Sequence, residues 1–346
     1  MPMTRRDFLR TTGASAAALG LGAPALAQDL RPLKMVLNWT YQGPQSWFFL
    51  AEDNGYFAEA GIEMTIDQGS GSGAAVGSVA GGAYDVGFGD VNALIRLAST
   101  EPEAAPICVY QMYNAPPFTV AVLSSSDIMT AADLEGRLLG GAANDGALKL
   151  FPAFANLAGI DASGIEILNF QSNLREQMLK SGQVEGVFGF VNTIRFSAKL
   201  SGMNPDEEIR FINFGDYGMD LYSNGLIIPK ALAEESPDLV SGMVAAINQG
   251  VADTLADPEA AVEAVARREP LINREVELER LIATLTDEMN HPELATTGLG
   301  NVDPERFATS IDIVVEADGL PRTPAPEEIF TDAFLPPESE RIYKLI

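Results

Sequence analysis

Gly82-Ala83-Tyr84-Asp85-Val86-Gly87-Phe88-Gly89-Asp90-Val91-Asn92 is followed 100 residues later by Gly182-Gln183-Val184-Glu185-Gly186-Val187-Phe188-Gly189-Phe190-Val191-Asn192. Gly, Phe, Gly, Val and Asn coincide, and Asp85 falls opposite Glu185. In each copy a helix ends at glycine, a short apolar strand follows, and Phe-Gly-x-Val-Asn turns off the strand end. Two such units predict two similar α/β lobes; the competing reading is a coincidence between two ordinary turns.

Outward from the first copy, apolar runs alternate with helical patterns. Leu33 to Trp39 reads as a strand, Ser46 to Glu59 as a helix stopped by Gly61, and Ile62 to Gln68 as a second strand. Gly69-Ser70-Gly71-Ser72-Gly73 is a loop opening a helix of small residues, and Val86 to Phe88 is a short strand. Around the second copy, Leu138 to Ala142 and Ile165 to Phe170 read as strands, with a helix from Ala147 to Leu157 between them. This alternation is the signature of α/β layering. Asn224 to Pro229 reads as a strand returning to the first lobe. Lobe I is therefore expected over 28–123 and 224–346, and lobe II over 124–223. From Ser236 the pattern is helical, with Ser236-Pro237, Asp257-Pro258 and Asp303-Pro304 each placing a capping residue before proline. Leu239, Met243, Ile247 and Val251 share one helical face, which reads as core. The proline-rich tail reads as an irregular strap.

Composition narrows the function. Apolar residues make up 47% of the 346, enough for a packed core. With 22 basic against 48 acidic residues the net charge is −26, which disfavours nucleic acid and anionic lipid surfaces as partners. One cysteine, Cys108, excludes an intrachain disulfide and a cysteine-built metal cluster, and one histidine, His291, argues against a histidine-ligated metal or a Ser-His-Asp triad. No cofactor is expected. At the N-terminus, Thr4-Arg5-Arg6-Asp7-Phe8-Leu9-Arg10 precedes a weakly apolar stretch that ends in Ala25-Leu26-Ala27. That order is a twin-arginine export signal over 1–27, cleaved after Ala27, and the protein is expected in the periplasm.

Candidate ligand contacts cluster where the pattern ends strands, the usual place for ligands in parallel α/β sheets. Asn38 offers a donor and an acceptor, Trp39 a flat apolar face, and Gln42 follows in the same turn. Trp47, the second of two tryptophans, is either a pocket wall or a core residue. Ser70, Gly71, Ser72 and Gly73 combine hydroxyls with a helix N-terminus, which suits an oxyanion or a polar ring edge; no Lys-Ser/Thr follows, so this is not a nucleotide P-loop. Asp90 and Asn92, with repeat partners Phe190 and Asn192, leave matching strands. Asn144, Asp145 and Gly146 open a helix in the second lobe, and Tyr222 and Asn224 lie at the crossover. Each of these is individually a cap or turn residue as readily as a ligand contact; Asp85 and Glu185 read as structural. No catalytic constellation emerges.

Asn38-Trp39, the helix carrying Ala51-Glu52-Asp53-Asn54-Gly55-Tyr56-Phe57 followed by Gly61-Ile62-Glu63, the Gly-Ser loop and Gly82-Ala83-Tyr84-Asp85-Val86-Gly87 occur in that order. Ala132-Asp133-Leu134-Glu135-Gly136 and Tyr222-Ser223-Asn224-Gly225-Leu226 continue the pattern. The chain thereby resembles periplasmic solute-binding proteins of ABC importers, in the nitrate/sulfonate/thiamine-pyrimidine-precursor class. The resemblance implies a two-lobed type II periplasmic binding protein, each lobe a mixed sheet flanked by helices, joined by two crossover strands. It implies a monomer that captures a small aromatic, heteroaromatic or anionic solute between the lobes and passes it to a membrane permease with its cytoplasmic ATPase. Asn38 and Trp39 would line the first-lobe wall, Ser70 to Gly73 would present helix-terminal N–H groups, and Asp90 would face Asn144 to Gly146 across the cleft. The chain departs from the pyrimidine-precursor pattern at Gln45, where a histidine is common, and it lacks the cysteine cluster of related pyrimidine-making enzymes. A secreted pyrimidine-synthase-like enzyme and a ligand-sensing domain for a membrane partner are the alternatives.

Overall fold

The computed structural model describes residues 30–346, so the export leader and its cleavage point lie outside the described residues. Ten strands form two five-stranded sheets. The strands are β1 (Arg31–Val36), β2 (Ile62–Asp67), β3 (Val86–Asp90), β4 (Ile107–Gln111), β5 (Phe118–Leu123), β6 (Leu138–Gly141), β7 (Glu166–Asn169), β8 (Gly186–Phe190), β9 (Ile209–Asn213) and β10 (Asn224–Ile228). The first sheet has the order β2-β1-β3-β10-β4 and the second β7-β6-β8-β5-β9. In both, the first three strands run parallel and the fourth runs antiparallel to its neighbours.

The two repeat copies are the central strands β3 and β8, and the correspondence reaches individual hydrogen bonds. Lys34 N–H donates to the Asp85 carboxylate at 2.8 Å, and Leu138 N–H donates to the Glu185 carboxylate at 3.0 Å. Asp85 N–H donates in turn to Lys34 C=O, and Glu185 N–H to Leu138 C=O. Each acid thus closes the start of the neighbouring strand, and coincidence between ordinary turns does not produce that agreement.

Strand pairing moves one boundary. β5 was expected in lobe I, which ended at 123, but it pairs with β8 and β9. The chain has therefore crossed by Phe118. The apolar run Phe118–Leu123 carries no local mark of which sheet it joins, because any buried strand reads alike. The crossings are irregular rather than regular strands. They bond to each other where Met112 and Tyr113 N–H donate to Asn224 C=O and Ser223 N–H donates to Tyr113 C=O. The helix expected over Ser46 to Glu59 is two pieces, Ser46–Asp53 and Tyr56–Glu59, because Gly55 takes the left-handed conformation with φ 82°.

The C-terminal helices cover the first sheet and the hinge. In helix Pro237–Ala256, Met243, Ile247 and Val251 are fully buried. Asp257 and Asp303 cap their helices as the Asp-Pro pattern predicts. Ser236 makes no cap; its hydroxyl accepts from Arg31 instead. Helix Pro304–Asp318 packs on both Val91–Thr100 of the first lobe and Gly146–Ala158 of the second. The strap passes Phe330, which bridges to Cys108, and Cys108 is buried with its thiol pushed up to about 12 by desolvation. No helix among the described residues is long and apolar enough to cross a membrane.

Candidate ligand-binding cleft

Strand ends from both sheets meet in one cleft. Past β1 the chain turns at Asn38-Trp39, and the Gly-Ser loop is stapled to that turn: Gly69 N–H donates to Trp39 C=O at 3.0 Å and Gly71 N–H to Asn38 C=O at 3.1 Å. Glycine is required at 69, since an added Cβ would lie 1.7 Å from the Leu37 carbonyl oxygen. One of the loop N–H groups expected to face a ligand, that of Gly71, is thereby consumed. What remains is the first turn of helix Ser72–Ala80, which has no side-chain cap and keeps its leading N–H groups without intrahelical acceptors.

The second lobe supplies the facing wall. Asp145 caps helix Gly146–Ala158, accepting from Ala147 and Leu148 N–H at 2.9 and 3.2 Å. Gly146 comes so close to the first lobe that an added Cβ would sit 3.3 Å from Asp90 Oδ2. Asp90 caps its own helix by accepting from Asn92 N–H, while its Oδ2 has no partner. The repeat-equivalent residue, Phe190, instead turns a ring into the cleft.

Two connected compartments result, sharing Asn38, Trp39, Phe190 and Thr193. The outer one adds Ser70, Gly71, Ser72, Asp145, Gly146, Ser172 and Arg175, and leaves about 30 Å³ of room for water-molecule centres. The inner one adds Gln42, Pro44, Gln45, Tyr113, Asn192, Arg280, Thr284 and Glu288, with about 10 Å³. A single water needs roughly 10–15 Å³, so the cleft is nearly shut and a ring-sized ligand can enter only if the lobes part.

Of the expected contacts, Asn38, Trp39, Gln42, Ser70, Gly71, Ser72, Asp145, Gly146, Phe190 and Asn192 line these compartments. Gly73, Asp90 and Asn144 line an adjoining opening with Arg96 and Lys149. Four do not line any of these spaces. Trp47 is fully buried in the first-lobe core, edge-on to Phe48 and Phe88, because its helix turns that face onto the sheet. Asn92 is sealed behind Asp90, donating to Tyr222 C=O at 2.6 Å. Tyr222 points to the hinge, where its hydroxyl donates to Glu293 at 2.8 Å and Arg306 lies over its ring. Asn224 is buried in β10, and its carbonyl joins the two crossings.

Sequence reasoning passed over three buried charged residues, Arg175, Arg280 and Glu288. Arg175, 4% exposed, lies beneath β8 and pairs with Glu176 at 3.0 Å and Asp145 at 3.9 Å. Arg280, 1% exposed, pairs with Glu277 at 3.0 Å, and burial pulls its pKa down. Glu288 has no ion-pair partner among the described residues, and burial pushes its carboxyl up to about 8. Asp90 is raised to about 6 by the same desolvation, and Asp145 is also raised, by burial first. Arg280, Thr284 and Glu288 recur every fourth residue, a polar stripe that was the one available signal. Neither Cys108 nor His291 lines the two compartments; His291 lies at the hinge beside Asp220 and Glu293.

The NMT1/THI5 like family model matches residues 45–261. The chain belongs to the NMT1/THI5-like family. Within it, the chain is 24% identical over 238 residues to a 4-amino-5-hydroxymethyl-2-methylpyrimidine phosphate synthase of Legionella pneumophila, covering 68% of this chain and 73% of that one. It is 23% identical over 311 residues to a formylaminopyrimidine-binding protein of Halalkalibacterium halodurans, covering 88% and 91%. The fold is that of the alkanesulfonate-binding protein SsuA of Xanthomonas axonopodis pv. citri, with a TM-score of 0.66, 16% identity and coverage of 87% and 98%. Residues 2–22 match the twin-arginine translocation signal model, so this NMT1/THI5-like protein is exported to the periplasm.

Proposed function

We propose that the protein is the solute-binding component of an ABC importer, and that it closes over a neutral or cationic nitrogen heterocycle. The two ring faces, Trp39 and Phe190, that line both compartments carry this reading, and the pairing of the buried charges supports it. Both buried arginines are matched by carboxylates of the protein itself, Arg175 by Glu176 and Arg280 by Glu277. Asp90 and Glu288 each keep an oxygen without a partner, and Arg280 keeps Nη2 without one. A buried sulfonate or nitrate would need a counter-ion of its own, and each buried arginine already carries a carboxylate. Trp39 and Phe190 offer ring faces for stacking, and the pyrimidine named for two relatives fits that combination. Residues from both lobes line each compartment, so ligand bound between them stabilises the closed form.

A melting-shift panel tests the reading: 4-amino-5-hydroxymethyl-2-methylpyrimidine and a flavin against an alkanesulfonate and nitrate. Stabilisation by the heterocycles alone supports it, and stabilisation by the anions alone defeats it. The enzyme alternative rests on the synthase name of the Legionella relative. The cleft linings give it neither histidine nor cysteine, and the protein is expected to return its ligand unchanged. Mass spectrometry after prolonged incubation decides between the two.

A further inference from the structure

We propose that closure of the two lobes is coupled to proton uptake by Asp90, so that the closed form is favoured as the surroundings turn acidic. This goes beyond the solute-binding reading above and does not depend on which solute is captured.

Position gives the first argument. Asp90 ends β3 in the first lobe and is 1% exposed. Its Oδ1 is occupied within that lobe, accepting from Asn92 N–H at 3.2 Å and from Asn92 Nδ2 at 2.8 Å. Its Oδ2 has no partner and faces the second lobe, 3.3 Å from where a Cβ on Gly146 would lie. The lobes touch at this point: Arg96 Nη2, on helix Val91–Thr100, donates to the carbonyl of Lys149, on helix Gly146–Ala158, at 2.9 Å. Parting the lobes withdraws Gly146 and Lys149 together and gives Oδ2 to water, while the bonds at Oδ1 stay.

The charges around the contact give the second argument. Arg96, on the helix that Asp90 caps, is engaged by Asp318. Asp145, the residue before Gly146, brings a second carboxylate from the opposite lobe. Arg175, behind Asp145 at 3.9 Å, is held by Glu176 at 3.0 Å. Lys149 lines the same opening but stands exposed, where water and salt screen it. The positive end of helix Gly146–Ala158 is taken up by its own cap, Asp145. Closure therefore strips water from one carboxylate oxygen of Asp90 and supplies no donor in its place, which disfavours the ionised form.

Burial is the largest influence on this carboxyl and raises it from 3.8 to about 6, with Arg96 opposing and Asp145 reinforcing. With the lobes apart Oδ2 meets water, and the carboxyl returns toward its ordinary value. The closed form thus holds the proton more tightly, and protonation favours closure by the same factor. The gain is complete below the open-form value and is lost as pH rises through about 6. A solute held between the lobes binds the closed form, so capture tightens on acidification.

Single-molecule energy transfer in the solute-free protein tests the coupling. The dyes sit on Glu63→Cys and Glu166→Cys, exposed positions on β2 of the first lobe and β7 of the second. The native Cys108 is buried and stays unlabelled. Gly146→Val with the same dyes supplies the open reference. From about pH 7.5 to about pH 5 the closed-to-open ratio of the wild type should rise at least about fivefold more than that of Asp90→Asn. That comparison cancels the titration of Glu288, which both proteins keep. Should Asp90→Asn fail to fold, Asp145→Asn, which removes the reinforcing charge, should cut the wild-type rise at least about twofold. Equal rises in the wild type and the variant overturn the coupling, and so does a wild type that matches Gly146→Val at every pH. Neither result bears on which solute binds, which the melting-shift panel decides separately.

Discussion

The guanidinium of Arg280 donates from Nη1 to the backbone carbonyl of Thr193 at 3.4 Å, tying a helix anchored on the first lobe to the second. The anchor is Glu277, whose carboxylate also accepts from Gly43 N–H at 2.8 Å. At the rim Lys199 pairs with Glu279 between the same two helices. Arg280→Met leaves Glu277 buried without its cation and should cost about 3–5 kcal/mol of stability in urea denaturation. Adding Glu277→Gln should restore a large part of that loss. Lys199→Ala, at the exposed rim, should change stability by less than about 1 kcal/mol.

The two tryptophans report on different places. Trp39 is half-buried at the cleft and Trp47 fully buried in the core. Ligand should change the emission of the wild type and of Trp47→Phe, and leave that of Trp39→Phe unchanged. Trp39→Ala should weaken binding at least tenfold, whereas Trp47→Ala should lower stability by about 3–5 kcal/mol. A ligand response that survives Trp39→Phe would remove Trp39 from the site.

Closure depends on the missing side chain at 146. A Cβ there would meet Asp90 Oδ2 at 3.3 Å and the Phe118 and Phe190 rings at 3.4 Å. Gly146→Val should hold the lobes apart, weaken ligand at least tenfold and enlarge the particle measured by small-angle scattering with ligand present. Unchanged scattering together with unchanged affinity would show that the lobes do not close against this point.

Two buried acids make stability depend on pH. Burial raises Asp90 from 3.8 to about 6, opposed by Arg96 and reinforced by Asp145. Burial raises Glu288 from 4.5 to about 8, reinforced by Asp287 and opposed by Arg280. Both acids hold protons more tightly folded than unfolded. Their contribution is complete below the unfolded values and is lost as pH rises through about 6 and about 8. The slope reaches about 1.4 kcal/mol per pH unit per group. Asp90→Asn should flatten the fall in urea midpoint between roughly pH 4 and 6, and Glu288→Gln the fall between roughly pH 4.5 and 8.

Local pattern made much of the fold legible. The repeat located both central strands, and the Asp-Pro pairs located two helix starts, because capping and strand punctuation act over a few residues. The break at Gly55 and the sheet choice of β5 were not legible: the first is a backbone conformation, the second a pairing across the chain. In the cleft, Asn38, Trp39 and Asp145 were found because strand ends and caps have local signatures. Arg175, Arg280 and Glu288 were missed because a charged residue on an amphipathic helix reads as solvated. Trp47 was left open between pocket and core because one helical turn does not say which side meets the sheet.

By itself the sequence determined a duplicated α/β architecture, an export leader, and glycines at turns that no larger residue could occupy. These are properties of neighbouring residues, set by backbone sterics and apolar periodicity. Tertiary structure alone decided which polar side chains are enclosed between the lobes, and with them the electrostatics of the cleft. Glu277 reaches Gly43 across 234 positions of chain, and whether a charge is desolvated depends on such distant partners and not on the residues beside it.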